Sequence, residues 1–215
     1  MMIHAYSEDY LVSAQRILGD MLDYAVNTYA FDPDSFYQMF LVSDVSSQFQ
    51  NGNPTYVAGK TGCEIVKEII HSAGIEMQEL EDEMYLDKSP EYWAGWSLAY
   101  YQWYRAHRFS YLQQYGLTIQ RILSMYPTLH EADLSKFVTV ADEIIAKEKS
   151  AQISNLQRMR KNCGMTQKEL AEKSGTSLRM VQLYEQRKQD IRKAEAQTLV
   201  NLSRVLGCGV EDLFD

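Results

Sequence analysis

MTQKELAEKSGTSLRMVQLYEQ, residues 165–186, reads as two short helices joined by a tight turn. Thr166 stands three residues before Glu169, the capping-box spacing, in which each side chain satisfies the other residue's free backbone N–H at a helix start. The helix it opens turns Leu170 and Ala171 inward and leaves Lys168, Glu172 and Lys173 to water. Gly175 ends it, because a sharp turn out of a helix needs a positive φ that glycine reaches at little cost. Ser177 is a good N-cap for a second helix whose apolar positions are Met180, Val181 and Tyr184. Two such helices around a Gly-containing turn make a helix-turn-helix, with the second helix shaped to enter a major groove.

Around this pair the rest of a small helical domain falls into place. Leu156 and Met159 supply the inner face of a preceding helix. Ala196, Leu199, Leu202, Val205 and Leu206 form a fourth, ended by Gly207, and residues 210–214 make a short fifth. Gln167, Leu170, Ala171, Gly175, Ser177, Val181, Tyr184 and Glu185, followed by LVNLSRVLG and a terminal VEDLF, resemble the Cro/repressor (Xre-like) class of bacterial and phage helix-turn-helix domains. The resemblance implies an ion pair between Arg160 and Glu185, tying the first helix to the recognition helix. It also implies that Gln167 grips a DNA phosphate while Ser177, Leu178, Arg179 and Gln182 face the groove. Arg179 is the expected base reader, since its guanidinium can donate two hydrogen bonds to O6 and N7 of a guanine; the alternative is a phosphate contact. Leu178 offers only apolar contact, most usefully to a thymine methyl. One domain reads few base pairs, so a homodimer on a palindromic double-stranded operator is expected, with half-sites about one helical turn apart. The chain departs from the family at Arg187, where a glycine is common, two residues after Glu185.

The totals fit a soluble chain of two domains. The sequence has 215 residues, 46% hydrophobic and 23% charged, ample for a core in each. Cys63, Cys163 and Cys208 lie far apart with neither CxxC nor metal-ligand spacing, the cysteine usage of a reduced cytosol. MMIHAYSEDY carries no basic region followed by an apolar run, and no stretch approaches the roughly 18 apolar residues that span a bilayer. The expectation is therefore a cytoplasmic protein without a membrane partner. Net charge is −8, but it is unevenly placed. Residues 151–215 hold eleven Lys and Arg against eight Asp and Glu, while residues 1–150 hold ten against twenty-one. A basic end on an acidic body suits DNA held at that end. The predicted division is a helical, acidic partner-binding or regulatory domain at 1–150 and the DNA-binding domain at 151–215.

The acidic body reads as helical nearly throughout, so the fold class is all-α. Ser7 caps a helix reaching about Thr28, with Leu11, Ala14, Ile17, Leu18, Met21, Leu22 and Ala25 at helical spacing. Asp32-Pro33 starts another helix; Asn51-Gly52-Asn53-Pro54 is a loop; Thr61 and Glu64 form a second capping box. Residues 76–87, EMQELEDEMYLD, are either a solvated face or a docking arm for a basic partner. Ser89-Pro90 caps a helix holding all three tryptophans. Trp93, Trp96, Tyr100, Trp103 and His107 recur at three and four residues, forming one aromatic face. That face is either core or a partly exposed partner-binding surface. Tyr126-Pro127 is expected to break a helix beginning near Leu117, and Asp133 to begin the last helix of the body.

Nothing in the sequence suggests catalysis. His4, His71, His107 and His130 are scattered, with no HExxH, GxSxG, P-loop or GxGxxG, and no cofactor or metal site is expected. FYQMFLVSDVSSQFQNGNPTYVAGKTGCEIV, EYWAGWSLAYYQWY and MYPTLHEADLSKFV resemble the N-terminal part of clostridial-type helix-turn-helix antitoxins. That resemblance implies a small toxin partner neutralised by the body, while the DNA-binding domain represses the shared promoter. The rival reading is a ligand-responsive or simply dimeric repressor with no toxin partner.

Overall fold

The computed structural model describes residues 4–76, 78, 80–82 and 87–214. The described residues form twelve α-helices with short 3-10 and π turns between them and no strand. The chain divides into two compact units, Met1–Ala146 and Lys147–Asp215. The division lies a few residues before the expected 150/151. Among the described residues no helix is long and apolar enough to cross a membrane. Much of the acidic stretch 76–87, including Met77, Glu79 and residues 83–86, lies outside the described residues.

In the first unit the central element is α1 (Leu11–Asp23), whose Leu11, Ala14, Ile17, Leu18, Met21 and Leu22 are buried. The expected helix to Thr28 is completed by a π turn, Tyr24–Thr28, in which the Tyr29 N–H donates to the Tyr24 carbonyl at 3.2 Å. Tyr24 is buried there, its hydroxyl donating to the carbonyls of Leu80 (3.1 Å) and Glu81 (2.8 Å). α2 (Pro33–Val42) starts on the Asp32 side chain, which accepts from the Ser35 N–H. α3 (Asp44–Gln50) and a π turn at Thr55–Gly59 follow, and the Thr61–Glu64 capping box opens α4 (Gly62–Ser72).

α5 (Pro90–Arg105) lies against α1 almost backbone to backbone. A Cβ on Gly95 would sit 2.2 Å from the Leu18 carbonyl oxygen and 2.8 Å from the Gly19 Cα. The face of α5 that enters the core is accordingly Ala94, Gly95, Leu98, Ala99, Tyr101 and Gln102. The aromatic stripe, open on the sequence between core and partly exposed surface, is divided: Trp103 is buried, and Trp93 and Tyr100 pack half-buried against the core. Two helices approach most closely where side chains are smallest, so Trp93, Trp96 and Tyr100 lie to the flank of this contact. Trp93, Trp96 and Tyr100 are half-buried, while Trp103 is buried under His4, stacked at 3.9 Å, with its Nε1–H donating to the Tyr6 carbonyl at 2.9 Å. His107 does not continue the stripe, because Ala106 takes a left-handed conformation (φ 50°) and ends the helix.

α6 (Phe109–Gln114), α7 (Ile119–Leu129) and α8 (Leu134–Ala151) complete the helices that begin in this unit. Pro127 does not break α7 as expected. It lies in the last turn, where the missing N–H removes one backbone bond, to the Leu123 carbonyl, and the helix continues to Leu129. Tyr101 and Arg105 of α5 both reach Asp142 of α8, the Tyr101 hydroxyl at 2.7 Å and the Arg105 Nε at 3.0 Å.

The second unit has its own core of Leu156, Leu170, Ala171, Val181, Tyr184, Ile191, Leu202, Leu206 and Leu213. Its helices are α9 (Asn155–Asn162), α10 (Gln167–Ser174), α11 (Leu178–Glu185) and α12 (Ala196–Leu206). The fifth element, expected at 210–214, is a single 3-10 turn, Glu211–Leu213.

The close contact of α1 and α5 makes a direct test. Gly95→Ala should lower the stability of the chain by about 1–3 kcal/mol from overpacking, although alanine alone favours a helix by about 1 kcal/mol over glycine. Urea unfolding of the two proteins measures it; equal midpoints would mean that the helices do not meet this closely.

Candidate nucleic-acid interface

The start of α10 and the turn from it to α11 are built largely from local bonds. The Thr166 hydroxyl accepts from the Glu169 N–H at 3.2 Å, and the Glu169 carboxylate accepts from the Thr166 N–H at 2.7 Å. Those bonds from Thr166 hold the Glu169 carboxyl below its usual range. A depressed carboxyl contributes stability above its unfolded pKa and loses it as pH falls through the folded one. Gly175 follows at φ 67°, and no atom stands within 4 Å of where its Cβ would be. Its constraint is therefore backbone conformation rather than space. The Ser174 carbonyl at the end of α10 accepts from Asn201 Nδ2 at 3.2 Å, so α12 helps to cap it. Ser177 accepts from the Met180 N–H at 3.2 Å and starts α11.

α11 is divided lengthwise. Val181, Tyr184 and Glu185 are buried, whereas Ser177, Leu178 and Arg179 are exposed, Leu178 by 40%. Gln182 and Leu183 are half-buried. The exposed start of α11 therefore carries an apolar side chain and a guanidinium side by side, above a face fixed in the core.

The end of α11 is held by Glu185, whose side chain is 2% exposed. Arg160 of α9 donates to it twice, Nε to Oε1 at 2.6 Å and Nη2 to Oε2 at 3.0 Å, and its Nη1 reaches the Met165 carbonyl at 2.5 Å. The bond to Glu185 raises the Arg160 pKa further above its ordinary value, so the cation is permanent. Gln167, expected on the sequence to grip phosphate, places Nε2 2.7 Å from Glu185 Oε2. The structure thus brings Arg160, Gln167 and Glu185 into one cluster, apart from the exposed Ser177, Leu178 and Arg179.

Sequence reading left open how α11 ends. Lys188 N–H donates to the Leu183 carbonyl (2.9 Å) and Arg187 N–H to the Tyr184 carbonyl (3.0 Å), the Schellman arrangement, with Arg187 at φ 53° in the position usually given to glycine. A side chain in that region costs roughly 1–2 kcal/mol. The signal for it was present in the sequence as the missing glycine, but only the backbone shows that the turn is kept regardless.

Among the described residues no group of three or more His, Cys, Asp or Glu is placed to hold a metal ion. A family model described as Helix-turn-helix matches residues 156–213, which covers α9 to the last 3-10 turn. No curated protein and no solved structure matches the chain significantly. The matched segment is a helix-turn-helix of the kind found in DNA-binding regulators.

The buried cluster sets a stability test. Removing one partner of a buried pair strands the other charge, at a cost of about 3–5 kcal/mol. Arg160→Ala should therefore lower the melting transition of the second unit in calorimetry of the full chain and leave that of the first in place. A trace identical to the parent would remove Arg160 from this role.

Proposed function

We propose that this chain is a sequence-specific DNA-binding transcription regulator that reads an operator with the start of α11. The observation that carries this reading is the lengthwise division of that helix. Its inner face is fixed by Val181, Tyr184 and the Glu185 cluster, and its exposed N-terminal end holds Ser177, Leu178 and Arg179. A recognition helix needs this combination of a rigid support and side chains free to reach base edges. Arg179 is the base reader in this proposal, Leu178 its apolar neighbour, and Gln182 a flanking contact. Gln167 retains a second N–H on the amide that binds Glu185, which would serve a phosphate. A homodimer on a palindromic site doubles the few base pairs that one domain reads.

Arg179→Ala separates base reading from phosphate anchoring. Losing a base contact costs about 1–3 kcal/mol and relaxes preference at one base pair. Losing a phosphate contact weakens all sequences alike and flattens the salt dependence by about one unit. Titrating parent and variant on the operator and its single-base variants across a salt series decides it. Equal losses on every sequence would make Arg179 an anchor, and one chain per operator in the same titration would argue against the dimer.

For the first unit we propose a partner-binding role, the partner being a small toxin that the unit neutralises while the second unit represses the common promoter. What supports this reading is the antitoxin resemblance of the three stretches quoted above, together with the acidity of residues 1–150. The half-buried rings of Trp93, Trp96 and Tyr100, beside the buried Trp103, are the surface offered for contact, since aromatic residues are enriched at binding hot spots. Co-expression of the full chain with the product of the adjacent small gene tests it, growth being restored if the reading holds. A neighbour harmless by itself would remove the toxin and leave a ligand-responsive or simply dimeric repressor.

A further inference from the structure

Among the described residues of the second unit, Arg187 is the one non-glycine residue in the left-handed region. Glycine would satisfy the same turn without strain, so what arginine adds here is its side chain. The guanidinium is turned onto backbone carbonyls: Nη1 donates to Lys149 (2.5 Å) and Gln152 (2.6 Å), and Nη2 to Ile153 (3.3 Å). These carbonyls lie at and just beyond the end of α8, where a helix leaves its last C=O groups without N–H partners and presents partial negative charge. Ala151, Gln152 and Ile153 are exposed, so burial does little to hold them. Strained conformations persist where the surroundings over-determine them and tend to mark clamps and switches.

We propose that Arg187 is a positioning residue for DNA binding, a latch that fastens residues 149–153 to the end of the recognition helix so that the two are held or released together. The proposal rests on the DNA-binding reading of α11. The latch joins the last turn of α8 and the residues just after it to the end of α11 within the second unit. It also gives the C-terminal end of α11 a second restraint beside the Glu185 cluster, acting through chain that burial does not secure. Release of the latch frees the backbone of residues 149–153 and removes the reason for strain at φ 53°.

The test uses the full chain, with Arg187→Gly, which keeps the turn and loses the fork, and Arg187→Lys, which keeps the charge but not the planar donor pair. The DNA is a duplex selected from a random pool by the parent protein. In both variants, trypsin should cut after Lys147 or Lys149 about tenfold faster, because local opening governs cleavage. Affinity for the selected duplex should fall about three- to tenfold, on the order of 1 kcal/mol, with an unchanged salt slope. Cleavage at the parent rate in Arg187→Gly would overturn the latch. Parent-like behaviour of Arg187→Lys would mean that charge, not the fork, matters, and would overturn it too. Faster cleavage with unchanged affinity would leave no positioning role, and a salt slope lower by about one unit would make Arg187 a phosphate contact. A parent protein that selects no duplex overturns the DNA-binding reading and this role with it, while the cleavage rates still report on the latch by themselves.

Discussion

The second unit depends on the carboxylate of Glu185. A buried carboxylate is tolerated only when its lone pairs are filled and its charge is met. Glu185 takes two donors from Arg160 and one from Gln167, so α9, α10 and α11 must converge on one point. Arg160 also binds the Met165 carbonyl, which ties the chain between α9 and α10 to the same point. The pair is worth less as a source of net stability than as a constraint on geometry. Apolar residues of similar volume often pack as well as a buried pair, but they carry no directional bond tying one point of α11 to one point of α9. The exposed residues at the start of α11 are presented on a helix whose other end cannot shift without stranding a charge.

The first unit is organised by a contact of another kind. α1 and α5 meet through Gly19 and Gly95, and no side chain larger than hydrogen fits at Gly95. This proximity decides where the aromatic residues go. Trp93 packs edge-on against Tyr126 and Phe137, and Trp103 is covered by His4. Trp96 and Tyr92 pair with each other at 5.9 Å. The half-buried tryptophan and tyrosine side chains along one flank of α5 thus leave aromatic area open, of the kind that binding surfaces use at small entropic cost.

Local chemistry was legible at six starts. Ser7, Asp32, Thr61, Ser89, Thr166 and Ser177 accept the bonds that their positions suggested, because a cap is made between residues two or three apart. The place of the aromatic face of α5 stayed open for the converse reason. Spacing of three and four residues identifies a face, but both the aromatic and the small-residue faces of α5 have that spacing. Which one enters the core depends on how close α1 comes. Pro127 was misread because the cost of a missing N–H depends on how much helix follows it. Gln167 was read as a phosphate anchor, and its bond to Glu185 comes from a partner eighteen residues away.

By itself the sequence determined an all-α chain, the helix-turn-helix at 166–185 and the buried-facing positions of that segment. Those follow from periodicity, capping and glycine, which act over one or two turns of chain. The tertiary structure alone decided which face of α5 is core, that Gln167 joins the Arg160–Glu185 pair, and that Arg187 occupies a glycine's conformation while binding the carbonyls of residues 149, 152 and 153. Each of these is set by a contact between segments distant in sequence. The free energy of such contacts depends on burial and approach distance, neither of which a single stretch of residues contains.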